Sequence, residues 1–287
     1  MLMIIIALIV IGLCLGSFVN ALVWRLHEQA KLSKKKSLNK ADKSFALKLS
    51  ILKGRSMCPH CKHELSVKDL VPVLSWLSLG GKCRYCKKPV SWQYPVVEAA
   101  TAFLFVASYI WWPVNLHGAQ IAVFIFWLLL LVGFVALAVY DLKWLLLPNR
   151  IIYPSACLAV VIAVITVASS SDTVKALLNV ILAVIISGGV FYILFQVSKG
   201  KWIGGGDVRL GWLLGLVVAT PGRSILLLFT ASVLGTLTSL PLLATKKLKR
   251  NSVIPFGPFL IVAAIVVQLF GHSILLWYQN HFFPNGV

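Results

Sequence analysis

The chain has 287 residues, 59% of them hydrophobic and only 12% charged, with a mean hydropathy of +0.91. Those values exclude an ordinary soluble domain and place the chain among polytopic membrane proteins. The formal net charge of +19 reads as a topology signal and a contact with anionic headgroups, not as a nucleic-acid surface.

The opening MLMIIIALIVIGLCLGSFVNALVW has no basic region before its apolar run and no small-residue cleavage site. Residues 1–24 therefore predict a retained first transmembrane helix, not a secretory signal. Further apolar runs at about 96–112, 119–140, 151–168, 175–197, 224–244 and 254–277, with a short glycine-broken one at 210–220, predict about eight crossings. With the N-terminus outside, the internal segments 25–95, 141–150, 198–209 and 245–253 hold 25 of the 27 Lys and Arg, all but Lys175 and Arg223. That asymmetry sets the orientation. The expected architecture is an all-α polytopic membrane protein of about eight transmembrane helices. A small cytoplasmic insertion occupies 25–95 and a transmembrane helical bundle 96–287.

The insertion divides in two. Residues 25–57 form a Lys-rich arm, expected to be mobile or to skim the membrane, with no chemistry assigned. Residues 58–95 hold Cys58-x-x-Cys61 and Cys83-x-x-Cys86, with 21 residues between the pairs. Two such pairs let four thiolates converge on a Zn²⁺ ion, with each turn wrapping backbone amides toward the sulfurs. A structural zinc would also let so short a segment fold. Two disulfides are the competing reading, disfavoured because this topology puts the cysteines in the cytoplasm. Cys14 and Cys157 stand alone in apolar runs and read as packing residues.

Of the eight acidic residues, Glu28, Asp42, Glu64 and Asp69 lie in the insertion and Asp172 in an external loop. Glu98, Asp141 and Asp207 remain. Asp141 ends the third run in ALAVYDLKWLLLPNR, and Asp207 follows the fifth in WIGGGDVRL. The topology puts both at the cytoplasmic edge of the membrane, where an acid is a functional candidate. Two carboxyls brought together do not both ionise easily. One keeps a proton while the other stays able to take one from water, the equipment for peptide hydrolysis without a nucleophilic side chain. Gly204, Gly205 and Gly206 are expected to form a substrate-access loop, supplying backbone angles closed to other residues and room for a substrate backbone. No phosphate-loop or dinucleotide pattern surrounds them. A flexible hinge with a solvated Asp is the bland alternative. An ion-coupled transporter using the paired aspartates and a non-enzymatic assembly factor, docking through the cysteine segment, are rival functions. Glu98, in SWQYPVVEAATA, either contacts substrate or caps the start of its helix.

Together these motifs resemble the type IV prepilin leader peptidases, membrane aspartic proteases of the GxGD class. GLCLGSFVNALVWRL (12–26) is similar to the family's first-span signature, and CPHC through GKCRYCKKPVSWQYPVVE to its cysteine segment. YDLKWLLLPN, GGGD and IPFGPFL (254–260) resemble its two aspartate motifs and its C-terminal signature. The resemblance implies that Asp141 and Asp207 are the catalytic pair. It implies cleavage of type IV prepilins and type II secretion pseudopilins after a Gly, on the cytoplasmic side of a bacterial inner membrane. It further implies N-methylation of the new N-terminal residue, usually Phe, with S-adenosylmethionine as donor; Glu98, from its position, is a candidate substrate or methylation contact. Asn149 stands where the family pattern has Asp, and LKGRSM replaces the usual Pro-Pro-Ser before Cys58.

Overall fold

A computed structural model describes residues 1–35, 37, 39–51, 54–245 and 254–282. Residues 246–253, which carry the basic cluster of the last predicted internal segment, lie outside the described residues. Every regular element among the described residues is helical, apart from isolated antiparallel bridges that pair Met57 with Glu64 and Lys82 with Pro89. The chain forms two compact units, Met1–Tyr109 and Ile110–Val287.

The first unit contains α1 (Leu2–Ser33), α2 (Lys40–Lys48), a single 3-10 turn at Val67–Asp69, the short α3 (Leu74–Ser78) and α4 (Gln93–Ile110). Nothing in RLHEQAKLS breaks a helix, so α1 runs past the predicted end at 24 and stops at Ser33. The start of the predicted arm is thereby built into the fold. Arg25 is buried, and its guanidinium donates to the carbonyls of Ser50, Ile51 and Gly54, the last at 2.8 Å. The Asn39 side chain caps α2 by accepting the Asp42 N–H at 2.8 Å. On α1, a Cβ at Gly12 would come within 2.5 Å of Ala102 Cα and one at Gly16 within 2.7 Å of Glu98 Cα. The two glycines thus let α1 and α4 meet backbone to backbone, the close approach that membrane helices use in place of a hydrophobic driving force.

The second unit holds α5 (Ala119–Trp144), α6 (Asn149–Ala168), α7 (Thr173–Ser198), α8 (Gly205–Val218), α9 (Pro221–Ala244) and α10 (Gly257–Phe282). The pairs α5 with α6, α7 with α8 and α9 with α10 pack together, and α10 also lies against α5 and α8. Left-handed residues end three helices, Leu145 after α5, Lys199 after α7 and Ala219 after α8, while Pro221 opens α9. Trp127, Leu130, Phe134, Leu214 and Leu260 are fully buried between these helices.

Among the described residues six helices are long and apolar enough to cross a bilayer: α1, α5, α6, α7, α9 over Pro221–Pro241, and α10. The protein is thus a multi-pass membrane protein. The other two predicted crossings fold as α4, of 18 residues, and α8, of 14. At 1.5 Å per residue α8 spans about 21 Å, short of a core of about 30 Å. Cys14 and Cys157, expected to be packing residues, are instead exposed on the outer faces of α1 and α6.

Candidate active site and metal centre

Asp141 lies in the last turn of α5, which continues to Trp144, and it is 5% exposed. Its Oδ2 accepts the backbone N–H of Gly257 at 3.1 Å. Gly257 is the first residue of α10, so the carboxyl meets a helix start whose amides have no intrahelical partner. A Cβ at position 257 would sit 2.7 Å from that same oxygen. Only glycine leaves room for the contact.

Asp207 lies in the first turn of α8, three residues after the N-cap Gly204. Leu147, in the link between α5 and α6, joins the two acidic positions: its side chain is 3.1 Å from where a Cβ of Gly206 would be and 3.4 Å from one at Gly257. The carboxyls of Asp141 and Asp207 are close enough for the charge of one to act on the other. Helix α6 also packs on α8, and Arg209 donates to Asn149 Oδ1. The residue that departs from the family pattern is thus tied to the helix that carries Asp207.

The unusual backbone angles expected of the glycines are not found. Gly204, Gly205 and Gly206 take no positive φ; the left-handed glycine of this loop is Gly200, at φ 74. Gly204 is extended and Gly205 and Gly206 begin α8, and of the three only Gly206 would be crowded by a Cβ, 3.1 Å from Leu147 Cβ. Asp207 is therefore held at a helix start, not on a hinge.

The four cysteines of the first unit converge. All four Sγ atoms lie within 4.8 Å of one another, and Cys58 Sγ is 3.8 Å from Cys86 Sγ. A tetrahedral tetrathiolate with Zn–S near 2.3 Å separates its sulfurs by about 3.8 Å, so the donor set and its spacing fit a zinc ion. Two matching turns build it. Cys58 N–H donates to His63 O, Lys62 N–H to Cys58 O, and Lys62 is left-handed. Cys83 N–H donates to Lys88 O, Lys87 N–H to Cys83 O, and Lys87 is left-handed. The backbone amides of His60 and Cys61 point to the first sulfur and those of Tyr85 and Cys86 to the second. Burial pushes the Cys58 thiol up to about 12. Burial acts the same way on Cys83, but the amides and the neighbouring sulfurs outweigh it and bring that thiol down to about 7. Asp69 ties the turns together, accepting from Arg84 at 2.6 Å, from Ser66 and from Tyr85. These donors hold its carboxyl below the usual carboxylate range although burial opposes them.

Residues 10–112 match the bacterial peptidase A24 N-terminal domain and residues 122–240 the type IV leader peptidase family. A protein of Stutzerimonas stutzeri named prepilin leader peptidase/N-methyltransferase is 30% identical over 280 residues, 94% of this chain and 92% of its own. Proteins of the same name from Pseudomonas aeruginosa and Bacillus subtilis are each 30% identical, covering 94% and 81% of this chain and 91% and 88% of theirs. The chain belongs to the type IV leader peptidase family. No solved structure matches it.

In this family member the first match contains all four cysteines and Glu98, and the second contains both Asp141 and Asp207. Glu98 does not cap a helix start. Helix α4 begins at Gln93, and Glu98 is buried, its Oε2 accepting the Val73 N–H at 2.7 Å and its carboxyl bonding to the Ser17 side chain. Val73 precedes α3 at φ 61 and ψ −52, a strained conformation for a β-branched residue. Glu98 therefore anchors the cysteine segment to α4. A cavity of about 130 Å³ lies between that segment, α1 and α4, with Glu98 in its wall. Sequence reasoning missed Leu147, Gly257 and Val73. The IPFGPFL signature contains Gly257, but nothing in a sequence joins it to an acid 116 positions away.

Proposed function

We propose that this chain is a membrane aspartic endopeptidase that removes the leader of type IV prepilins and type II secretion pseudopilins. It cuts after a Gly at the cytoplasmic face of a bacterial inner membrane. Asp141 and Asp207 are the catalytic pair and Gly204, Gly205 and Gly206 keep the approach to Asp207 open. One observation carries this reading: Leu147 lies against both Gly206, beside Asp207 at the start of α8, and Gly257, whose N–H binds Asp141 at the end of α5, so two acids 66 positions apart share one neighbourhood. Its relatives bear the name prepilin leader peptidase/N-methyltransferase.

The chemistry follows from one proton shared by two carboxyls. The ionised carboxylate takes a proton from water as its oxygen attacks the scissile carbonyl, and the protonated partner donates to the carbonyl oxygen. Collapse of the tetrahedral species breaks the C–N bond, the amine leaves with a proton returned by the carboxyl that first removed one, and a hydroxyl of the species gives its proton back to the partner carboxylate. A Gly before the scissile bond makes local unwinding of the substrate helix inexpensive. Glu64 already meets Lys48 and Arg55, and Asp69 meets Arg84, which favours anionic headgroups over these two acids as the partner of a basic leader.

The same chain carries a second activity, N-methylation of the new N-terminal residue. S-adenosylmethionine supplies the methyl group: the amine's lone pair forms the N–C bond, the S–C electron pair stays on sulfur, and the amine's proton passes to water. Cys58, Cys61, Cys83 and Cys86 hold a structural Zn²⁺. Functionally the chain divides into the unit Met1–Tyr109, which holds the cysteine segment, and the unit Ile110–Val287, which holds the aspartate pair. A cleavage assay with a purified prepilin tests the proteolytic reading. The wild type shortens the precursor, and Asp141→Asn and Asp207→Asn each leave it intact; cleavage by either variant contradicts the pairing.

A further inference from the structure

Between its two cysteine turns the first unit carries an uncharged stretch. LVPVLSWLSLGG, from Leu70 to Gly81, is bounded by Lys68 and Asp69 on one side and Lys82 on the other. An apolar run of about 10–14 residues is either a buried core helix or an element lying at a membrane surface. The first is excluded here, because no residue of α3 is buried. Leu74 and Leu77, three positions apart and so on one side of the helix, are 64% and 58% exposed.

The fold fixes the depth of this stretch. The Glu98 carboxyl accepts the Val73 N–H and also bonds to Ser17. Ser17 lies eight residues before Arg25, the first charged side chain of α1, and hence about 12 Å inside the uncharged part of that span. On α4, Glu98 lies five residues, or about 7.5 Å, beyond Gln93. The start of α3 is therefore beside the membrane-embedded part of α1, not beyond its end. Trp76 is held by its Nε1–H bond to Val90 O at 3.1 Å and by the Trp92 ring at 4.2 Å between centroids. Trp92, Val96 and Phe103 are exposed and share one face of α4 and its approach, so α3 adjoins an apolar surface that runs on along α4.

We propose that residues 70–81 are inserted in the lipid leaflet on the side of the cysteine segment, with Leu74 and Leu77 among the acyl chains and Lys68 and Lys82 at anionic headgroups. Both lysines are exposed, as this placement requires. The backbone is equipped for a dry environment, where each polar group needs an internal partner. The N–H groups of Ser75, Leu77, Leu79, Gly80 and Gly81 donate to carbonyls of the same stretch, and Pro72 has no N–H to satisfy. The N–H of Val73 goes to Glu98, which gives the strained turn at Val73 a purpose. The same contact shields the acid: a carboxyl at this depth is costly, and Glu98 is 5% exposed. A partner arriving from solution does not reach that depth, so the occupant of the surface is lipid.

The test is photolabelling of the full-length, zinc-loaded wild type in nanodiscs of phosphatidylethanolamine and phosphatidylglycerol, some of whose acyl chains carry a diazirine. Cleavage after Lys and Arg releases residues 69–82 as one peptide, residues 56–62 with Cys58 and Cys61 as another, and residues 1–25 of the first span as a third. Lipid adducts are expected on 69–82 as on 1–25, about tenfold or more above the level on 56–62. Leu74→Glu combined with Leu77→Glu charges the inserted face. It is expected to cut the label on 69–82 about fivefold or more while the label on 1–25 and the zinc content stay as in the wild type. A label on 69–82 no higher than on 56–62, with 1–25 labelled, overturns the proposal, as does a label unchanged in the zinc-loaded double variant. A label that purified prepilin displaces also overturns it, and assigns the surface to the substrate helix.

Discussion

Replacing Gly257 with Ala places a methyl carbon 2.7 Å from Asp141 Oδ2 and 3.4 Å from Leu147 Cδ2. The first distance is shorter than any ordinary carbon to oxygen contact, so either the carboxyl rotates away or the start of α10 retreats. Both movements break the 3.1 Å bond from Gly257 N–H to Asp141. A hydrogen bond to a charged group is worth about 1.5–3 kcal/mol. If that bond fixes the reacting carboxyl, its loss lowers kcat/KM about ten- to a hundredfold. The assay is the rate of prepilin cleavage by purified Gly257→Ala against wild type, with the thermal midpoint of each measured alongside. The zinc content should not change, because the four cysteines belong to the other compact unit. Cleavage within about twofold of wild type in a folded variant would refute the view that this contact sets the geometry of Asp141.

The metal centre predicts about one zinc per chain, lost in Cys58→Ser; elemental analysis that still finds the metal in that variant contradicts a four-thiolate site. If methylation and proteolysis use separate sites, Asp207→Ala should still methylate a pilin whose leader has already been removed. Loss of both activities in that variant would argue for a single site. The shared proton predicts a bell-shaped pH dependence of cleavage, falling on the acid side as both carboxyls become protonated and on the alkaline side as both ionise. A rate that rises monotonically with pH contradicts the acid and base roles together.

The readable parts of this molecule were those in which one residue type recurs at a fixed spacing. The cysteine pairs foretold a four-thiol cluster, and the matching turns at Lys62 and Lys87 explain why the spacing within each pair suffices. The apolar runs foretold the helices, with ends set by propensity and caps that hydropathy does not record. Thus α1 continued through Arg25 to Ser33, and α8 stopped at Ala219. What stayed hidden depends on contact between distant segments. Gly257 looks like any glycine before a proline until α10 is set against Asp141, and Glu98 looks like a helix-start acid until Val73 is found on it. The glycines before Asp207 suggested unusual backbone angles because that is glycine's commoner use. Here the constraint falls on Gly206 and is the Leu147 side chain, which no local pattern announces.

The central claim, that Asp141 and Asp207 together cut a prepilin at its leader, is tested most directly by mass spectrometry of the pilin N-terminus. The precursor is incubated with wild-type, Asp141→Ala or Asp207→Ala protein in the presence of S-adenosylmethionine. The account predicts that the wild type alone gives a product beginning at the residue after Gly, carrying one added methyl group. An intact precursor with the folded, zinc-loaded wild type, or the same cut product from either aspartate variant, would contradict it.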